Sequence, residues 1–111
     1  MAKDDLKQYC EAIKDFDKAI DLNPNDSDAY NNRGISKEKL GQYREAIKDY
    51  DKAIELDPNY SYAYNNRGAA KGNLGQYKDA LKDYKKALKL DPNDEYAREN
   101  IQNIQNKYGL R

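Results

Sequence analysis

Pro24, Pro58 and Pro92 stand 34 residues apart, and the chain between them nearly copies itself: aligning residues 27–60 with 61–94 gives 22 identities in 34 positions. Ser-x-Ala-Tyr-Asn-Asn-Arg-Gly begins at Ser27 and again at Ser61, and Leu-Gly-Gln-Tyr begins at Leu40 and again at Leu74. A unit this short cannot bury a core alone. Its apolar faces have to be covered by neighbouring units, and units stacked in this way present one long concave surface.

Each unit reads as two helices. Ala46, Ile47, Tyr50, Ala53, Ile54 and Leu56 fall on a helical stripe with Lys48, Asp49, Asp51, Lys52 and Glu55 between them. The same stripe recurs as Ala12, Ile13, Phe16, Ala19, Ile20 and Leu22, and as Ala80, Leu81, Tyr84, Ala87, Leu88 and Leu90. Between these lie more polar helices, expected over Asp26 to Leu40 and Tyr60 to Leu74. Each follows a Pro-Asn pair, so proline closes the previous helix and Asn25, Asn59 and Asn93 are the expected N-caps. Gly41 and Gly75 supply the turn inside a unit, where positive φ is cheapest for glycine. Gly34 and Gly68 sit inside a helix, which implies close approach of a neighbouring one.

These residues resemble the tetratricopeptide repeat, a helix-turn-helix motif of this period. The positions that carry the likeness are Tyr30, Gly34, Leu40, Gly41, Tyr43, Ala46, Tyr50, Ala53 and Pro58, then Tyr64, Gly68, Leu74, Gly75, Tyr77, Ala80, Tyr84, Ala87 and Pro92. The likeness covers nearly the whole chain. It implies an all-α, right-handed superhelical array of antiparallel helix pairs with about six helices. The reading is one domain over 1–111: an N-terminal partial repeat at 3–26, repeats at 27–60 and 61–94, and a capping helix at 95–108.

The chain departs from the family at Arg33 and Arg67, where leucine is usual, and at Lys37 and Lys71, where tyrosine is usual. Asp15, Asp49 and Asp83 recur at one phase of the second helix and are the expected acceptors of a ladder of ion pairs. The partial repeat lacks most of its opening helix. Lys7 there replaces the turn glycine, so residues 4 to 22 are expected to run as one uninterrupted helix.

Composition narrows the function. With 38% hydrophobic and 36% charged residues and twenty basic side chains against twenty acidic ones, the chain has interspersed signs and no net charge. Phosphate neutralisation dominates nucleic-acid affinity, so no such partner is expected. The apolar runs are too short for a membrane span, and the first residues are too charged for a secretory signal, which makes a cytoplasmic setting the expectation. Histidine is absent and one cysteine cannot form an internal disulfide, so neither metal nor cofactor is expected. Cys10 reads as an exposed free thiol. Acids alternate with lysines on solvated faces and no phosphate loop or nucleophile motif occurs, so catalysis is not expected.

Most tyrosines read as core: Tyr30, Tyr43, Tyr50, Tyr64, Tyr77 and Tyr84 occupy packing positions. The family's concave positions, carried over residue by residue, give a candidate ligand groove of Asp28, Asn31, Asn32, Ile35 and Glu38, then Tyr62, Asn65, Asn66, Ala69 and Asn73, then Tyr96, Glu99, Asn100 and Asn103. Asparagine amides both donate and accept, and suit the backbone of an extended peptide. Asn32 and Asn66 match an asparagine that grips a terminal carboxylate in chaperone-binding members, but the cationic positions of that clamp hold Asn31, Ile35, Tyr62 and Tyr96. No chaperone-tail receptor is therefore expected. The leading reading is a non-catalytic interaction module for a protein or peptide. The competing one is a structural, self-associating unit that pairs through its N-terminal partial repeat, designed or excised and without a specific ligand.

Overall fold

The structure, a computed structural model, describes residues 2–110. They form six helices and no strand: α1 (Lys3–Leu22), α2 (Ser27–Lys39), α3 (Tyr43–Leu56), α4 (Ser61–Asn73), α5 (Tyr77–Leu90) and α6 (Glu95–Tyr108). The all-α array of helix pairs expected from the period is the fold found. The helices group into two compact units, one ending at Pro58 and one beginning at Asn59.

In the first unit α2 packs against both α1 and α3. The expected uninterrupted N-terminal helix is present: α1 passes through Lys7 without a break. The turn from α2 to α3 is a Schellman motif. Gly41 at φ +78° lets its own N–H reach the Glu38 carbonyl and that of Gln42 reach the Lys37 carbonyl, both at 2.9 Å, which satisfies the last carbonyls of α2. The chain thereby reverses within three residues and lays α3 back on α2. Small side chains set the spacing. Ala29, Ala46 and Ala53 are buried, and Tyr50 is the one large side chain among the described residues that is wholly inaccessible. Its ring occupies the space left by Gly34, where an added Cβ would lie 2.7 Å from Cε1.

The second unit repeats this with α4 and α5 and adds α6 against α5. Gly75 at φ +79° makes the same turn. Ala80, Leu81, Tyr84 and Ile104 form its core, with Tyr77, Ile101 and Leu110 packed around them. Tyr84 lies against Gly68, with a less severe 3.2 Å approach.

The helix caps correct the sequence-based expectation. The caps are one residue later than the asparagines: Asp26 accepts from the N–H groups of Asp28 and Ala29, and Asp94 from that of Ala97. Asn25 and Asn93 belong instead to the turn that follows each helix, where their N–H groups donate to the Asn23 and Asp91 side chains. An Asx turn of this kind consumes the residue after proline and moves the cap onward. At the third site the capping position is Tyr60, which makes no side-chain cap bond. Among the tyrosines placed in the core, Tyr50, Tyr64 and Tyr84 are buried, whereas Tyr30, Tyr43 and Tyr77 are half-buried.

Candidate functional site

The most buried charges are structural. Asp49 of α3 accepts from Arg33 Nε at 2.9 Å and Nη2 at 2.7 Å, and Lys37 Nζ lies 3.0 Å from it. Asp83 of α5 receives Arg67 at 2.9 and 2.7 Å and Lys71 at 3.2 Å. One carboxylate with two cations on the facing helix is a bidentate, charge-assisted lock. Arg33 also donates to Asp17 of α1 at 2.9 Å, tying all three helices of the first unit together. The hydrogen bond that Arg33 donates to Asp49 is the chief reason that its guanidinium is held above its usual pKa. Each arginine further stacks over the tyrosine three positions before it, Tyr30 or Tyr64, at 5.5 Å. The arginine and lysine stems that replace the family's apolar residues thus pack as expected. Asp15 differs from its counterparts, being exposed and in no ion pair among the described residues.

A cleft that gathers several of the sequence-predicted residues lies in the second unit. It has a volume of about 300 Å³ and is lined by α4 (Ala69, Gly72, Asn73), α5 (Tyr77, Tyr84) and α6 (Tyr96, Asn100, Asn103, Ile104, Lys107, Tyr108). Its origin is a difference between two near-identical repeats. Ala69 and Gly72 stand where α2 has Ile35 and Glu38. In the first unit the Glu38 carboxylate takes a 2.7 Å hydrogen bond from the Tyr50 hydroxyl. Burial pushes the Glu38 carboxyl above its ordinary range, and the bond from Tyr50 partly opposes this. In the second unit that side chain is gone, and an added Cβ on Gly72 would meet nothing within 4 Å.

The walls of the cleft are ordered by aromatic contacts. Tyr77 and Tyr108 stack with centroids 3.8 Å apart, and Tyr84 meets Tyr96 edge to face at 6.1 Å. Asn73 donates Nδ2 to the Ala69 carbonyl at 3.1 Å, and Asn100 donates to that of Tyr96 at 2.8 Å. Each bond uses an amide N–H and leaves Oδ1 as an acceptor with no partner among the described residues. Lys107 is the single cation of the lining.

The remaining predicted groove residues are dispersed. Asp28, Asn32 and Glu99 are exposed, and Ile35 and Glu38 half-buried. Tyr62 is 71% exposed, with its ring edge-on to Tyr60. Asn66 is half-buried and already engaged. Asn31 and Asn65 are buried rather than facing solvent. The reason is visible for Asn65: its Nδ2 donates to Asp94 Oδ2 at 2.6 Å, and the other oxygen of Asp94 caps α6. Asn65 therefore anchors α6 to α4. Gly72, Lys107 and Tyr108 were not among the sequence candidates. A position-by-position comparison of the two repeats contains the signal for Gly72, since the loss of a whole carboxylate side chain at one phase marks an opening.

The tetratricopeptide repeat family model matches residues 27–60 and 61–94, and a second model described as TPR repeat matches residues 5–41. The chain belongs to the tetratricopeptide repeat family. Among solved structures similar to it is the first TPR of Spaghetti (RPAP3) bound to HSP90 peptide SRMEEVD, at TM-score 0.90 and 31% identity over 94% of this chain and 82% of that one. The Arabidopsis OM64 TPR domain is similar at TM-score 0.88 and 31% identity, over 90% of this chain and 83% of that. A third is the second TPR domain of the human RPAP3 protein in complex with HSP70 peptide SGPTIEEVD, at TM-score 0.84 and 31% identity, over 89% and 82% respectively. No curated protein sequence matches this repeat chain significantly. Two of these three solved relatives hold a bound peptide.

Proposed function

We propose that this tetratricopeptide chain binds an extended peptide segment through the cleft of its second unit, without catalysis. One observation carries the reading: where the first unit has the larger Ile35 and Glu38, the second has Ala69 and Gly72, which line a cleft walled by tyrosine rings and asparagine acceptors. The unpartnered Oδ1 acceptors of Asn73 and Asn100 suit peptide N–H groups, and the rings of Tyr77, Tyr96 and Tyr108 suit an apolar or aromatic side chain between them. The exposed Asp28 and Asn32 of α2 offer the same polar chemistry in the first unit. The relatives' HSP90 and HSP70 peptides support a peptide partner. The absence of cations at the clamp positions argues for a ligand other than an acidic tail.

Selection from a displayed library of random short peptides, followed by amide chemical-shift mapping, tests this. The expected shifts fall on Ala69, Gly72, Asn73, Asn100 and Asn103, and Ala69→Ile with Gly72→Glu, which restores the filling of the first unit, abolishes binding while the helices stay intact. Binders that shift only the outward faces of α3 and α5, or that ignore the double substitution, would sink the assignment.

A second reading, self-association through α1, is favoured by one observation. No residue of α1 is buried, although its phase is that of α3, in which Ala46, Asp49, Tyr50 and Ala53 are.

A further inference from the structure

The zero net charge conceals a division. Residues 1–58 carry ten basic and fourteen acidic side chains and residues 59–111 carry ten and six, so the two segments have formal charges of −4 and +4. Two helices hold much of the difference. In α5, Lys85 and Lys89 stand where α3 has Asp51 and Glu55. Lys78, Lys82 and Lys85 follow one another by about a turn, and with Leu81 and Leu110 they line a cleft of about 370 Å³.

The complement is on α1. Asp4, Gln8, Ala12, Asp15, Ala19 and Leu22 form one stripe along this helix. Leu22 is 88% exposed, and Ala12 and Ala19 are only half-buried where Ala46 and Ala53 are inaccessible. Asp15 occupies the phase at which Asp49 and Asp83 each receive an arginine and a lysine. It is an acceptor position for two cations with neither in place.

We propose that this face of α1 docks on the lysine-rimmed face of α5 in a second copy of the chain. The inference rests on the self-association reading and specifies its mode. Pairing α1 with α1 would bring together two segments of charge −4, whereas α1 against α5 sets −4 against +4. The acids of the stripe meet Lys78, Lys82 and Lys85, while Leu22 and the two alanines cover apolar surface beside Leu81 and Leu110. Such a contact is heterologous, using different patches on the two copies, so a pair keeps one free α1 face and one free α5 face, and further copies add until a ring closes or as an open chain.

Light scattering coupled to size exclusion, run over a wide concentration range in low salt, tests it. The mass is expected to climb above 12.9 kDa with concentration. It should return to the monomer value in high salt, where the screening length falls to about 3 Å at 1 M. Lys82→Glu with Lys85→Glu, and separately Asp4→Lys with Asp15→Lys, should each remain monomeric, and mixing the two variants should restore association. Circular dichroism checks that these exposed substitutions leave the helices intact. A constant monomer mass for the unaltered chain defeats self-association altogether. Association that survives Lys82→Glu with Lys85→Glu, or a mixture that stays monomeric, overturns docking on α5 and leaves only the general reading.

Discussion

The hairpins α2–α3 and α4–α5 are one design executed twice, and their differences are more informative than their identities. What repeats is what is packed: the alanines at Ala46 and Ala80, the tyrosines Tyr50 and Tyr84 against Gly34 and Gly68, and the carboxylates Asp49 and Asp83 with their cations. Much of what varies lies at or near solvent, although the buried Ser36 becomes an equally buried Ala70. Glu38 and Ile35 give way to Gly72 and Ala69, opening a cleft; Asp51 and Glu55 give way to Lys85 and Lys89, reversing a surface; the Asp26 cap gives way to Tyr60. Packing thus holds many of the shared positions, and the proposed binding cleft arises from the others.

The largest expected effect tests whether the two carboxylate locks are equivalent. Asp49→Ala and Asp83→Ala each strand cationic groups whose side chains are only about one-fifth exposed. Each should cost about 3 kcal/mol, the low end of the range for leaving a buried charge without its partner. Asp15→Ala, at the same phase but without partners, should change stability by less than about 0.5 kcal/mol. Urea unfolding of the three variants makes the comparison. A large loss at Asp15, or a negligible one at Asp83, breaks the equivalence.

The next effect sharpens a difference between the hairpins. Gly34→Ala places a methyl 2.7 Å from a wholly buried ring, whereas at Gly68 the approach is 3.2 Å. Overpacking should therefore destabilise Gly34→Ala by about 1–3 kcal/mol, and Gly68→Ala by less. Thermal unfolding of both variants orders them. Equal losses would mean that the two tyrosines relax alike.

The smallest effect concerns Glu38, which has no counterpart in the second hairpin. Because burial raises its folded pKa above the ordinary 4.5, the folded state holds that proton more tightly than the unfolded chain. This favourable contribution is complete below the unfolded pKa and disappears as pH rises through the folded one. Glu38→Gln keeps an acceptor for the Tyr50 hydroxyl and removes the titration. The unaltered chain should accordingly lose stability relative to the Gln variant on going from acid to neutral pH, and a constant difference across that range would refute the sign.

The sequence by itself determined the period, the helix pairs, the turn glycines and the close approach at Gly34 and Gly68. These follow from local rules: a helical stripe, a residue able to take positive φ, and the missing Cβ that a neighbouring ring requires. It also pointed to Asp49 and Asp83 as acceptors, since a carboxylate repeated at one phase faces the same place in each unit. Only tertiary structure decided which asparagines are available. Asn65 and Asn73 are both polar residues on the nominal ligand face, yet Asn65 is drawn inward by Asp94, a partner 29 residues away, while Asn73 stays in the cleft. Nor could spacing alone show that Tyr77 and Tyr108 stack into one wall, because that contact depends on how α6 lies against α5. Helical period and turn chemistry are properties of neighbouring residues and are legible in one strand of text. Burial and cleft shape arise when distant side chains compete for the same space, and that competition is settled only in the fold.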